Sequence, residues 1–233
     1  ASLWSLTVAS RIVDLVHYCS VPENNAIVQK AKEEFRNGIV IPREQVEAYI
    51  REDDVILIGP GMTRDSQTES LTNELLKKYP EKQWVIDAGA LQMMDVTLIP
   101  KNAILTPHHG EFERLWEKAI SYQLTANSDN MTDENKVKFF AKKYECIVLL
   151  KGEKDIASDG VQCRSIAGGN AGMTKGGTGD VLAGLIALVL LVYFLNRLEQ
   201  KATTHTEPSD AQRLFRDLLA RLGLTESQRH LLD

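Results

Sequence analysis

Cysteine is scarce in this chain, basic residues are not in excess, and no apolar run is long enough to span a bilayer. The three cysteines, Cys19, Cys146 and Cys163, form no CxxC pair. That excludes a disulfide framework and a zinc knuckle and points to a reducing, cytoplasmic setting. Lysine plus arginine total 27 against 32 acidic residues, so the formal charge is 27 − 32 = −5. With a pI near 5.6, the chain lacks the basic footprint of nonspecific nucleic-acid binding. The opening decapeptide ASLWSLTVAS has no basic stretch and does not read as a signal peptide. The longest uncharged apolar run, Val181 to Leu195, falls short of the roughly 18 residues of a membrane span. It is read as a buried helix, and no membrane partner is expected.

What is present is ordinary for a folded globular chain. Of 233 residues, 43% are hydrophobic and 25% charged, which excludes disordered and collagen-like classes and suffices for a sizeable core. Short apolar runs predict strands over Leu3 to Val8, Ile39 to Ile41, Val55 to Ile58, Trp84 to Ile86, Ala103 to Leu105 and Cys146 to Leu150. Between them, capping residues and apolar spacing predict helices over Pro22 to Phe35, Pro42 to Arg51, Asp65 to Tyr79 and Thr132 to Tyr144. Strands that are apolar throughout suit parallel pairing covered on both faces. The alternation predicts an α/β fold with a doubly wound, mostly parallel sheet flanked by helices. Asp159-Gly160 between two short runs predicts a hairpin over Ile156 to Ile166. Glu199 to Ser209 reads as a linker, with helical spacing over Asp210 to Leu222 and Thr225 to Leu232 beyond it.

In open α/β sheets, ligands bind beyond the carboxyl ends of the strands. Three loops there carry unusual residues. Gly59-Pro60-Gly61 follows one strand, and either a close ligand approach or a plain turn would account for it. Thr106 to Phe112 places His108, His109 and Glu111 at the start of a helix. HExxH is absent and no third ligand is evident, so a polar ligand contact is favoured over a metal, and no metal site is assigned. The third loop, Gly168 to Asp180, packs glycines before the long apolar helix. Glycines there cost backbone entropy, and at a helix N-terminus they expose amides to an anion that the helix dipole favours. The order of Lys175 and Gly176 excludes a Walker A loop. Asp180, in the first helical turn, reads either as a dipole-complementing carboxylate or as a general base for a hydroxyl attacking a phosphoryl group. Lys151, at a strand end, could meet nucleotide phosphates or merely solvate that end.

These strings together resemble a known family. Gly176-Gly177-Thr178-Gly179-Asp180 resembles the anion-hole and aspartate signature of the ribokinase-like superfamily. Ile58 to Met62, Val85 to Leu91, Leu105 to Phe112, Leu150-Lys151-Gly152 and Asn170 to Asp180, in that order, are similar to the ADP/ATP-dependent NAD(P)H-hydrate dehydratases. The likeness covers Val55 to Leu188, more weakly Ser2 to Ile50. It implies nucleotide-dependent dehydration of hydrated NADH or NADPH, a metabolite repair, with ADP or ATP as co-substrate and Mg2+ as its counter-ion. By motif, Asp180 would activate the ring hydroxyl and contact the substrate. Gly176, Gly177, Thr178 and Gly179 would hold the transferring phosphate, and Lys151, Gly152 and Asp155 would contact the nucleotide. Gly61, His108, Gly110, Glu111 and Arg114 would line the hydrated-dinucleotide site. An epimerase acting on the same substrate and a homo-oligomeric state are further expectations.

The sequence departs from the family at three places. The family begins with a further strand and a glycine-containing loop. Gly89 stands where an acidic residue is common, and Thr63 where glycine is. Beyond about Leu190 the motif likeness stops. The expected organisation is therefore a ribokinase-like dehydratase domain over residues 1–196, incomplete at its N-terminus relative to the family, and a linker with an atypical helical tail over 197–233. Two competing readings share the same loops: a ribokinase-like kinase of a vitamin-precursor alcohol, and a non-catalytic nucleotide-binding relic.

Overall fold

A computed structural model describes residues 1–121, 131–168 and 175–202. The chain divides into two compact units, Ala1–Leu188 and Val189–Asp233. In the second, only the continuation of a helix to Ala202 is described. The linker expected from Glu199 is instead helical through Ala202, and the glycine-loop residues 169–174, the rest of that linker and the tail helices lie outside the described residues.

The first unit opens with α1 (Ser2–Ala9), β1 (Val16–Tyr18), α2 (Pro22–Lys30), β2 (Gly38–Val40) and α3 (Val46–Glu52). β1 and β2 form their own two-stranded parallel sheet. Leu6, Tyr18, Val28 and Phe35 make a small core beside it. The run Leu3 to Val8 is thus a helix and not the expected strand. Its β-branched content is overridden by packing, because Ser5 and Leu6 turn inward together. The Thr7 hydroxyl donates back to the Leu3 carbonyl at 2.8 Å, which satisfies it within the helix. β1 was not foreseen. Pro42 to Arg51 splits into a 3₁₀ turn (Arg43–Gln45) and α3.

The main sheet follows: β3 (Val55–Ile58), α4 (Ser66–Lys78), β4 (Gln83–Ile86), α5 (Ala88–Met93), β5 (Ile104–Leu105), α6 (His109–Ser121), α7 (Asp133–Tyr144), β6 (Ile147–Leu150), β7 (Lys154–Ser158) and β8 (Cys163–Ala167). Its six strands lie in chain order. β3 to β6 are parallel, and β7 and β8 close it as an antiparallel hairpin. The helix starts follow the cap residues: the Asp65 carboxylate accepts from Thr68 N at 2.9 Å, and Thr132 Oγ1 from Asn135 N at 3.4 Å.

Trp84, Ile86, Leu91, Leu105, Val148 and Leu150 are fully buried at the centre of one continuous core. Each such side chain contributes about 1.5–3 kcal/mol relative to exposure, so rigidity is greatest where β4, β5 and β6 run side by side. The Trp84 indole donates to the Tyr79 carbonyl at 2.9 Å and leaves no buried donor unpaired there. The long apolar run becomes α8 (Thr178–Ala202). It is buried on one face only: Ala183 and Leu188 are enclosed, whereas Leu185 is 40% exposed. Among the described residues no helix is long and apolar enough to cross a membrane.

Candidate functional site

Three neighbouring parallel strands end close together, β6 running two residues beyond the ends of β4 and β5. Ile86 of β4 is in register with Leu105 of β5, which is in register with Val148 of β6. The residues just past these strand ends are Asp87, Thr106 and Lys151, and they converge. Asp87 Oδ1 accepts from Lys151 Nζ at 2.9 Å and from Thr106 Oγ1 at 2.8 Å. Asp87 is only 2% exposed, so its charge needs this pairing to be tolerated. The backbone beyond it is unusual. Ala88 adopts φ +45°, a left-handed conformation that alanine rarely takes. Two glycines let this loop lie against the preceding one. A Cβ on Gly59 (φ +115°) would fall 1.7 Å from the Asp87 carbonyl oxygen, and one on Gly89 would fall 2.2 Å from that of Met62. Gly89, which departs from the family pattern, is therefore the residue that this close approach admits.

The start of α8 stands over this cluster. A Cβ on Gly179 would lie 3.5 Å from Lys151 Nζ, which puts the ammonium at the first turn of the helix. Asp180 sits in the same turn. Partial burial pushes its carboxyl above the usual aspartate range, and the negative charge of Asp87 adds to this. Lys151 pulls in the other direction. A carboxylate made more basic in this way is a better proton acceptor. α1 braces the turn, with Ser5 Oγ donating to the Asp180 carbonyl at 2.8 Å. Gly177 takes φ +95°, and a Cβ there would lie 2.7 Å from Trp4 Nε1. Gly176 differs: no described residue comes within 4 Å of where its Cβ would be. Gly61 faces the start of α1, with its Cβ position 3.1 Å from that of Ala1.

A second group lies at the start of α6. Glu111 accepts from the backbone N–H of His108 at 2.9 Å, while His108 Nδ1 accepts from Glu111 N at 3.2 Å. This is a reciprocal cap with histidine in the serine role. The other oxygen of Glu111, which is 4% exposed, accepts from Gln92 Nε2 at 2.9 Å. Gln92 Oε1 accepts from Arg114 Nη1 at 2.6 Å. Glu111 and Arg114 are thus tied to each other through Gln92, and His108 is exposed beside them. Gly110 lies against the His108 ring. The two groups meet through the backbone, where Lys151 N donates to the Pro107 carbonyl at 2.8 Å. Asp155 caps the following turn by accepting from Gly152 N at 2.9 Å.

The structure therefore brings Lys151, Gly179 and Asp180 together, and His108, Gly110, Glu111 and Arg114 together. Asp87, Thr106 and Gln92 are the polar members that motif reading left without a role. The available signal was a polar residue just past an apolar strand at Asp87 and a buried amide inside the apolar stretch Ala90–Met94. Among the described residues no three His, Cys, Asp or Glu side chains are grouped to hold a metal ion. A cationic side chain, a helix start and an open glycine fit a phosphate.

A family model described as NAD(P)H-hydrate dehydratase matches residues 2–220. The chain belongs to the NAD(P)H-hydrate dehydratase family. The match continues past Leu190, where the motif likeness had stopped. Among similar proteins, the bifunctional NAD(P)H-hydrate repair enzyme of Archaeoglobus fulgidus is 36% identical over 149 residues, covering 63% of this chain and 27% of that protein. The ADP-dependent (S)-NAD(P)H-hydrate dehydratase of Enterococcus faecalis is 34% identical over 143 residues, covering 59% and 46%. This family member thus spans less than half the length of either relative. Its fold is that of the ribokinase-like proteins. A ribokinase-like superfamily protein of Enterococcus faecalis aligns with TM-score 0.66 at 21% identity, covering 94% of this chain and 82% of that one. The ADP/ATP-dependent NAD(P)H-hydrate dehydratase of Bacillus subtilis, co-crystallised with ATP/Mg2+, aligns with TM-score 0.61 at 20% identity, covering 96% and 85%.

Proposed function

We propose that this chain dehydrates hydrated NADH or NADPH back to the dihydronicotinamide, using ADP or ATP. The observation that carries the reading is the Asp180 carboxylate, raised in basicity, in the turn that also receives the Lys151 ammonium and follows the open Gly176. Asp180 takes the proton of the ring hydroxyl as the hydroxyl oxygen attacks the terminal phosphoryl group of the nucleotide, whose bridging P–O bond breaks to release AMP from ADP or ADP from ATP. The amides of Gly176, Gly177 and Gly179 receive the transferring phosphoryl oxygens at the helix start, beside Thr178, whose own N–H donates to the Lys175 carbonyl at 3.3 Å. Lys151 neutralises charge that builds on those oxygens. The C–O bond of the phosphorylated ring then breaks, inorganic phosphate leaves with the bonding electrons, and loss of the adjacent C–H proton restores the ring double bond.

Magnesium would come with the nucleotide, as the hard counter-ion of its phosphates. Gly152 and Asp155 shape the turn beside Lys151 that the nucleotide would meet. Gly61, His108 and Gly110, with the Glu111–Gln92–Arg114 group behind them, form the wall assigned to the dinucleotide. The curated relatives named bifunctional repair enzymes support a partner epimerase acting on the same substrate, here proposed for a separate polypeptide or segment.

Incubation with hydrated NADH and either nucleotide tests the reading through the returning absorbance of the reduced ring. Recovery by the wild type, with Asp180→Asn retaining nucleotide binding but losing turnover by on the order of 10³-fold, is expected. Phosphorylation of a thiazole or pyrimidine alcohol with no recovery would assign a vitamin-precursor kinase instead. Nucleotide binding with neither product would assign a non-catalytic relic.

A further inference from the structure

We propose that Asp87, together with Thr106, is a positioning residue that delivers the Lys151 ammonium to the first turn of α8, where a bound phosphate is met. This rests on the nucleotide-dependent reading above and adds to it a residue that touches neither phosphate nor hydroxyl. Four observations carry it. Asp87 is almost wholly enclosed, and one of its oxygens accepts from both Lys151 Nζ and Thr106 Oγ1, at 2.9 and 2.8 Å. The acceptor and its two donors stand at the ends of three adjacent strands, the most deeply buried part of the sheet. The Lys151 side chain retains 20% exposure, so it is steadied and not sealed off. Its nitrogen lies 3.5 Å from where a Cβ on Gly179 would be. An ion pair this deep is a poor device for stability alone, since apolar replacements commonly serve as well. It is a good device for removing the rotamer freedom of a long flexible cation.

If Asp87 acts only through Lys151, the two residues are coupled in nucleotide affinity. ADP affinity is measured by calorimetry for the wild type, Asp87→Asn, Lys151→Met and the double variant. Each single change is expected to weaken ADP by about tenfold or more. The double variant is expected to bind no more weakly than Lys151→Met alone, so the effects are strongly non-additive. Additive losses, or an Asp87→Asn protein with wild-type affinity, overturn the proposal. Thr106→Val keeps every charge and serves if Asp87→Asn does not fold. It is expected to weaken ADP several-fold with Lys151 present and not at all in the Lys151→Met background, and equal losses in both backgrounds overturn it.

The outcomes separate the two levels. A coupled cycle in a wild type that binds ADP without dehydrating the hydrate sinks the reaction and keeps the positioning. An active wild type with an additive cycle sinks the positioning and keeps the reaction. A wild type that binds neither ADP nor ATP overturns both.

Discussion

Gly176→Ala separates a glycine that the fold requires from one that a ligand requires. The backbone at residue 176 lies outside the left-handed region, and a methyl group there would meet no described residue within 4 Å. Folding thus gives no reason for glycine at this position, and alanine stabilises such sites by about 0.4–1 kcal/mol by restricting the unfolded chain. For a chain of this size that is a rise of about 1–4 °C in Tm. The same methyl group would intrude on a phosphoryl group approaching the helix start. Loss of one such contact costs on the order of 10²-fold in turnover. The assays are urea or thermal unfolding by circular dichroism and recovery of reduced-ring absorbance from the hydrate. Gly59→Ala is the control with the opposite signature, because its positive φ alone costs about 1–2 kcal/mol and its methyl group would strike the Asp87 carbonyl. A Gly176→Ala protein that is fully active, or that loses more than about 1 kcal/mol of stability, refutes the assignment of this glycine to the phosphate.

Two predictions follow from ionisation. A base must be deprotonated to work, so the acid limb of the activity profile should lie above that of an ordinary aspartate, in the direction that burial moves Asp180. Asp87 raises Asp180 and Lys151 lowers it, so Asp87→Asn should move this limb to lower pH and Lys151→Met to higher pH, as read from kcat/KM against pH. Cys146 is 1% exposed, and burial pushes its thiol up to about 12. At pH 8 its thiolate fraction is on the order of 10⁻⁴, so maleimide should label it only after unfolding, as peptide mass spectrometry would show.

Most strands of the main sheet were legible because each is a short apolar run between capped helices, and the Asp159-Gly160 hairpin was legible from its turn residues. Within the first forty residues α2 and β2 were legible to within a few residues at their ends, but α1 and β1 were not. Leu3 to Val8 carries strand-forming side chains, and only the inward turn of Ser5 and Leu6 makes it helical. Val16-His17-Tyr18 is too short and too polar to declare itself before β2 lies beside it. The site divides similarly. Lys151 and Asp180 stand out locally by their glycine neighbours. Asp87 acquires its meaning from a lysine 64 residues away, and no local pattern encodes that pairing. Glu111 shows the reverse case. The resemblance assigns it to the substrate wall, whereas its carboxylate is taken up by the His108 backbone and Gln92.

The small core around Leu6, Tyr18, Val28 and Phe35 is separate from the main one, yet it anchors the helix whose Ser5 hydroxyl and Trp4 ring reach the turn bearing Asp180. The geometry proposed for catalysis is therefore tethered to the smaller of two apolar blocks. When that block opens, the chain loses its working geometry while the large sheet is still folded, so heat should silence the protein before it melts it.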